Sequence, residues 1–312
     1  MNTSEKSIST ECYPCIFQQL LSLAKLMGMN EPQRKRLFAD SMDYLLETEG
    51  RGLMVQHLVR KATNTVLEMC GRSKDHDPYA DIKARSNELA LQHRPVFLEK
   101  IAASPSPLEE ALKLAAAGNI IDFGAKGHGD LDIEQELASI DQRGFGIYDY
   151  DEFSRRLSQA KSLLYLCDNA GEIVLDSMYI REIKKTFPSL QVTCAVRERP
   201  IINDAVLKDA EEVGLDRVAP VISSGSVYPG TILAETSDTF KDLFGSADLV
   251  VSKGQGNFET LLGTDTDKIF FILRIKCGMM ADLAGTEKGN LVLMQNRGRE
   301  RNRGSLEAAF QG

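Results

Sequence analysis

At 312 residues with 43% hydrophobic side chains, the chain can fill one large core or two modest ones, which excludes a disordered protein. The net charge of −8, with basic residues scattered among acids, argues against a nucleic-acid partner. No apolar stretch reaches the ~18 residues that span a bilayer, and the N-terminus MNTSEKSISTECYPC lacks a signal-peptide pattern. A cytoplasmic location without a membrane partner is expected, with the six cysteines as thiols or metal ligands rather than disulfides.

From Cys12 to about Ala117 apolar residues recur at helical spacing, as in Ile16, Leu20, Leu23, Ala24 and Met27, then Leu37, Met42, Leu45 and Leu46. Further helices are expected over Leu53 to Cys70, Ala80 to Ala102 and Leu108 to Ala117, with a kink or break at Pro95. Residues 1–117 therefore read as a helical N-terminal subdomain. After Gly118 short Val/Ile/Leu runs alternate with amphipathic segments, the pattern of βαβ units. Strands are expected at Ser162 to Leu166, Gln191 to Val196, Val218 to Ile222, Asp248 to Val251, Ile269 to Leu273 and Leu291 to Met294. Helices between them are expected at Glu172 to Phe187, Asp204 to Val213, Glu235 to Phe244 and Phe258 to Leu262. The expected fold over 118–296 is α/β, a doubly wound, mostly parallel sheet. Residues 297–312, dense in arginine and ending GSLEAAFQG, look like a tail with a picornaviral-protease linker and are set outside the fold.

In open parallel sheets ligands sit beyond the carboxyl ends of the strands, and here those ends are polar. The first expected strand runs into Asp168-Asn169-Ala170-Gly171-Glu172 and the second into Arg197-Glu198-Arg199-Pro200, with Asn203-Asp204 behind. The third gives Ser223-Ser224-Gly225, the fourth Lys253-Gly254-Gln255-Gly256-Asn257 and the fifth Lys276. An Asp-Asn pair alone is an ordinary helix cap and a glycine turn alone is an ordinary turn. Several successive polar strand ends would be a poor way to make a merely stable protein. Asp168, Asn169 and Asp204 offer the oxygen donors a hard divalent cation requires. Lys253, Ser223, Ser224, Arg197, Lys276 and the Gly254 to Asn257 loop are candidates for holding a phosphoryl group.

The strings AAGNIIDF (Ala116 to Phe123), CDNAGE (Cys167 to Glu172), RERPIIND (Arg197 to Asp204), SSGSVYPG (Ser223 to Gly230) and KGQGNFE (Lys253 to Glu259) carry a resemblance. In order and context they resemble the damage-control phosphatase family, domain of unknown function 89, over roughly Glu11 to Met294. Cys12-Tyr13-Pro14-Cys15 and Lys276-Cys277 look like its microbial, cysteine-containing branch. The resemblance implies metal-dependent hydrolysis of small phosphorylated metabolites, either sugar phosphates or damaged phosphometabolites. Magnesium, manganese, cobalt or nickel is the implied ion. It places the metal on Asp168, Asn169 and Asp204, phosphate contact on Lys253, and Asn119 and Asp122 at the cleft. A workable mechanism has the metal hold a phosphoryl oxygen and acidify a water, Lys253 offset charge, and Asp122 or Glu172 orient the water. Attack by Asp168 itself is disfavoured, because a metal ligand is a poor nucleophile.

Cys12 and Cys15 are either half of a thiolate site, completed by Cys277 if the first helix packs near the last strands, or a structural or capping pair. No strand precedes them, as a thioredoxin-like redox motif would require. Cys70, Cys167 and Cys194 lie on apolar runs and are expected in the core. None of His57, His76, His93 and His128 has metal-ligand spacing; His128 sits in the Gly124 to Gly129 loop. Two rivals stand beside hydrolysis. One is an S-adenosylmethionine-dependent carboxyl methyltransferase, against which the first strand lacks a G-x-G turn. The other is a module that holds a metal or nucleotide without turnover.

Overall fold

The computed structural model describes residues 8–48, 52, 54–118 and 144–298. Three helices open the chain, α1 (Cys12–Leu26), α2 (Glu31–Thr48) and α3 (Val55–Met69), and they share an apolar cluster built from Ile16, Leu20, Leu37, Leu58 and Val66. Asn30 and Gln33 cap α2 reciprocally through side chain and backbone, at 2.9 and 3.0 Å. Then come α4 (Ala80–Ala103) and α5 (Pro107–Ala117).

The α/β part runs β1 (Phe145–Tyr148), α6 (Tyr150–Gln159), β2 (Ser162–Leu166), α7 (Glu172–Thr186), β3 (Gln191–Val196), α8 (Leu207–Val213) and β4 (Val221–Ser223). It continues with α9 (Asp238–Ser246), β5 (Leu249–Lys253), α10 (Gln255–Leu261), β6 (Ile269–Arg274), α11 (Gly278–Ala284) and β7 (Leu291–Gln295). The strand order is β1-β7-β6-β5-β2-β3-β4, with β2 to β6 mutually parallel and β7 antiparallel to β6. The chain winds from β2 through β3 to β4, then returns to place β5 on the other side of β2. The β2/β5 seam is thus the topological switch point, where a crevice opens at the strands' carboxyl ends.

Strand alternation separates two cores. Leu163, Tyr165 and Val251 face a cluster with α4 to α8, and Leu164, Leu166 and Val250 face one with α9 to α11. The pattern boundary near Gly118 is therefore not a packing boundary. Phe97 and Ile101 of α4 and Leu112 and Ala116 of α5 belong to the sheet's own core, and α1 to α3 alone have a separate one. Among the described residues no helix is long and apolar enough to cross a membrane.

The six expected strands all form, with ends shifted by up to three residues. Helix α4 runs through Pro95 without a break. Pro95 lies on its exposed side, while Phe97 and Ile101 are packed into the core and hold the second half. The sequence reading missed β1, α6 and α11. Strand β1 is a four-residue edge with a register irregularity, and it contains Gly146, where a Cβ would strike the Thr286 and Asn290 side chains.

If α4 belongs to the main core, Phe97→Ala should lower the stability of the whole protein by about 3–5 kcal/mol, the usual cost of truncating a packed phenylalanine. Denaturant unfolding followed by circular dichroism checks this, and a loss under about 1 kcal/mol would place α4 outside that core.

Candidate active site

Each strand at the switch point ends in a polar turn, and buried bonds tie the turns together. After β2, Cys167 to Gly171 lead into α7. After β3, the chain returns so that Asn169 and Asp204 form an isolated antiparallel bridge. Ala205 N donates to Asp168 O at 2.8 Å and Ala170 N to Asn203 O at 3.0 Å. Ile202, within this return, has φ 48°, an unusual conformation for a β-branched residue and a sign that the surroundings over-determine the loop. Gly171 begins α7 at φ 81°, and Asn87 of α4 accepts its N–H at 2.7 Å.

Arg197, at the tip of β3, is buried and donates to three elements: Asp204 Oδ2 at 2.8 Å, Thr231 Oγ1 at 3.1 Å and Asn257 Oδ1 at 3.0 Å. Asn257 in turn donates to the carbonyls of Lys253 at 2.8 Å and Cys167 at 3.3 Å. One guanidinium and one amide therefore join the ends of β2, β3 and β5 to the loop after β4. Gly254, at the end of β5 with φ 79°, passes so close to β2 that a Cβ there would land on the Asp168 carboxylate.

Above these turns opens a cleft of about 770 Å³. Its floor carries Asp168, Asn169, Glu172 and Asp204, its flank Gln255, Glu259, Arg274 and Lys276, and its roof Gln19, Gln56, Tyr79 and Ser86 from the leading helices. The roof is fastened to the rim. Gln56 donates to Glu259 at 2.7 Å, His57 meets Glu235 at 2.8 Å, and Arg60 donates to the carbonyls of Pro200, at 3.1 Å, and Val227.

The floor is crowded with negative charge. Burial, reinforced by the Asp168 charge, pushes Glu172 up to about 7. Burial also lifts Asp204 to about 6, with Asp168 adding to the effect and Arg197 opposing it. Asp168 is raised by burial, against the pull of Lys276, Arg197 and Lys253. Asn169 spends its amino group on Asp168, at 2.9 Å, and on Glu172, at 2.7 Å, which turns its oxygen to other partners. Desolvated carboxylates that repel one another beside an amide oxygen suit a hard divalent cation. Asp168, Asn169 and Asp204 fit that role.

The other expected site residues are distributed differently. Lys276 is exposed on the cleft wall. Lys253 lies beneath the floor, its ammonium 2.6 Å from Asp176 Oδ1, 2.8 Å from Ala115 O and 3.8 Å from Glu172 Oε2. Arg197 and Asn257 form the buried clamp. Ser223 donates to Glu198 and Ser224 to Val196 O, so both brace the β4 loop. Asn119, Asp122 and His128 lie outside the described residues.

Cys12 and Cys15 occupy the first turn of α1, and Cys277 directly precedes α11. Burial, followed by Glu259, Cys277 and Cys15, pushes the Cys12 thiol up to about 11, so the three thiols share one neighbourhood. Among the described residues no three His, Cys, Asp or Glu side chains converge on one metal position, and the six cysteines are free thiols.

The sequence reading missed Asp176, Glu259 and the individual residues of the helical roof, though it expected the helical part to contribute to the pocket. Asp176 had a signal, since it is a carboxylate inside a run from Glu172 to Ile180 that is buried throughout. The roof residues had none, because ordinary glutamines and serines on amphipathic helices become a wall only through docking.

Two outcomes are expected from this geometry. Gly254→Ala should abolish the site's function, because the new methyl displaces Asp168 and an L-residue at positive φ is strained; activity within twofold of wild type would contradict the close approach. The raised Glu172 carboxyl binds its proton more tightly folded than unfolded, so its stabilising contribution is complete below the ordinary value of 4.5 and is lost as pH rises through about 7. Chelator-treated protein should lose roughly 1–3 kcal/mol between pH 5 and 8, and Glu172→Gln should flatten that slope in melts across pH.

Residues 8–292 match the family described as the damage-control phosphatase ARMT1-like domain. A Pyrococcus horikoshii protein named a damage-control phosphatase is 36% identical over 290 residues, spanning 93% of this chain and 98% of that one. A damage-control phosphatase of Archaeoglobus fulgidus is 33% identical over 288 residues, spanning 91% and 98%. An uncharacterized Methanocaldococcus jannaschii protein is 33% identical over 310 residues, spanning 92% and 95%. The crystal structure of a DUF89 family protein from Pyrococcus horikoshii superposes with a TM-score of 0.85 at 30% identity, covering 94% of this chain and all of that one. With the crevice, the helical roof and all strands but the end of β7 inside the family match, the chain belongs to the damage-control phosphatase ARMT1-like (DUF89) family.

Proposed function

We propose that this protein is a divalent-metal-dependent phosphatase that hydrolyses small phosphorylated metabolites, sugar phosphates or damaged phosphometabolites, with water as the nucleophile. The observation that carries this reading is the convergence of Asp168, Asn169, Asp204 and Glu172 on the floor of one cleft at the β2/β5 switch point, with Lys276 on its wall. The names of the Pyrococcus and Archaeoglobus relatives support it.

Asp168, Asp204 and the Asn169 amide oxygen would hold magnesium, manganese, cobalt or nickel. When bound, such an ion supplies Lewis-acid charge to a phosphoryl oxygen and lowers the pKa of a coordinated water. The chain does the rest. Glu172 Oε1 is held by Asn169 at 2.7 Å, which fixes the carboxylate at the cleft floor, where it takes a proton from the attacking water. Lys276 and Arg274 face the same space and offset charge on the transferring group, while Lys253 adds positive charge from beneath. The roof meets the organic part of the substrate with the neutral hydrogen-bonding groups of Gln19, Gln56, Tyr79 and Ser86, a match for a hydroxylated metabolite rather than an extended polyanion.

Phosphate release from a panel of sugar phosphates and an aryl phosphate, using chelator-treated protein with single metals restored, tests the reading. Hydrolysis should require metal, and Asp168→Ala or Asp204→Ala should reduce it by at least about a hundredfold, as expected when charge stabilisation at a reacting group is lost. Wild-type turnover in both variants would reject the site. Metal binding without turnover on any substrate would favour a non-catalytic module.

A further inference from the structure

Directly beneath the cleft floor lies a buried ion pair that the proposed chemistry does not require as a contact. Asp176 of α7 is fully buried, and its Oδ1 receives both the Tyr165 hydroxyl at 2.7 Å and the Lys253 ammonium at 2.6 Å. Among the described residues its Oδ2 has no hydrogen-bond partner. The ammonium makes two further approaches, to the Ala115 carbonyl at 2.8 Å and to Glu172 Oε2 at 3.8 Å. Lys253 thus stands between an acid that faces only the core and an acid that faces the cleft.

Such a pair is an expensive way to fill a core. Removing two ions from water costs several kcal/mol each, and an apolar pair of similar volume packs as well or better. Apart from those polar partners, the sheet face that carries Tyr165 and Val251 holds an apolar cluster that includes Ile173, Val174 and Phe270. The pair's distinctive effect is directional. Tyr165, fixed on β2, sets Asp176; Asp176 sets the ammonium; the ammonium sits against Glu172. Burial alone would discharge Lys253, but Asp176, Glu172 and Asp168 outweigh it and hold the ammonium charged.

We propose that Asp176 is a positioning residue acting through Lys253, holding that ammonium under Glu172 so that the carboxylate floor keeps its geometry and a tuned affinity for its cation. This rests on the metal-dependent reading of the cleft. With Asp176 in place the ammonium is shared downward. Without it, the ammonium has only the floor acids to pair with, moves toward them, and competes with the metal.

The test is a four-protein cycle of wild type, Asp176→Asn, Lys253→Met and the double variant, each chelator-treated and titrated calorimetrically with Mn2+. Asparagine keeps the volume and the bond from Tyr165. In the native background, Asp176→Asn should weaken Mn2+ binding by about tenfold or more, the scale of one displaced charge at close range. In the Lys253→Met background the same substitution should change it by less than about twofold, because distant or unlinked effects add while linked ones do not. Tyr165→Phe, which removes the hydroxyl that sets Asp176, should weaken binding in the same direction by a smaller factor, and it provides the result if Asp176→Asn does not fold. An equal loss in both backgrounds would show a merely structural role and overturn the proposal, as would no loss in either. Wild type that binds no Mn2+ would overturn the metal-dependent reading itself. Wild type that binds Mn2+ and is indifferent to Asp176 would overturn this inference alone.

Discussion

Arg197 is the constraint on which the cleft depends. Its guanidinium bonds to Asp204, Thr231 and Asn257, two groups from loops and one from α10, and Asn257 passes the connection to the ends of β2 and β5. A buried charge of this kind is stable only when fully bonded, and removing one partner of such a pair costs about 3–5 kcal/mol. The network therefore behaves as a unit. It holds Asp204 beside Asn169, keeps Asp168 against the bare backbone of Gly254, and sets the distance across the switch point. Groups that sequence reading assigned to phosphate thus build the frame in which the floor acids stand.

On that frame the electrostatics become directional. Three buried carboxylates line the floor of one cleft, and the cations around them are graded: Arg197 at the side, Lys253 below, Lys276 and Arg274 on the wall. The result is an acidic floor, partly balanced by Arg197 and Lys253, facing a more positive flank. A cation and an anionic group bound side by side would complete it. The helical roof adds a neutral hydrogen-bonding surface and closes over the floor through Gln56, His57 and Arg60, all from α3.

Much of this was legible in the sequence. Alternating apolar runs mark six of the seven strands, and the polar residues just beyond the strand ends include Asp168, Asn169, Glu172, Asp204 and Lys276, all of which line the cleft. The hidden features depend on tertiary contact. Lys253 ends a strand like a ligand-binding residue, yet its side chain turns into the core because Asp176, one helix away, awaits it there. The pattern change at Gly118 suggested a domain boundary, but α4 and α5 share the sheet's core, since helix periodicity records which face is apolar and not what covers it. Edge strand β1, four residues with a central glycine, carries too little alternation to be recognised.

Anomalous diffraction from crystals soaked with Mn2+ and orthovanadate would locate the cation and the phosphoryl mimic relative to the floor acids. One dominant manganese peak is expected at coordination distance from Asp168, Asn169 and Asp204, with vanadate beside it toward Lys276. A manganese peak confined to the Cys12, Cys15 and Cys277 neighbourhood, or vanadate bound away from the floor acids, would contradict that assignment.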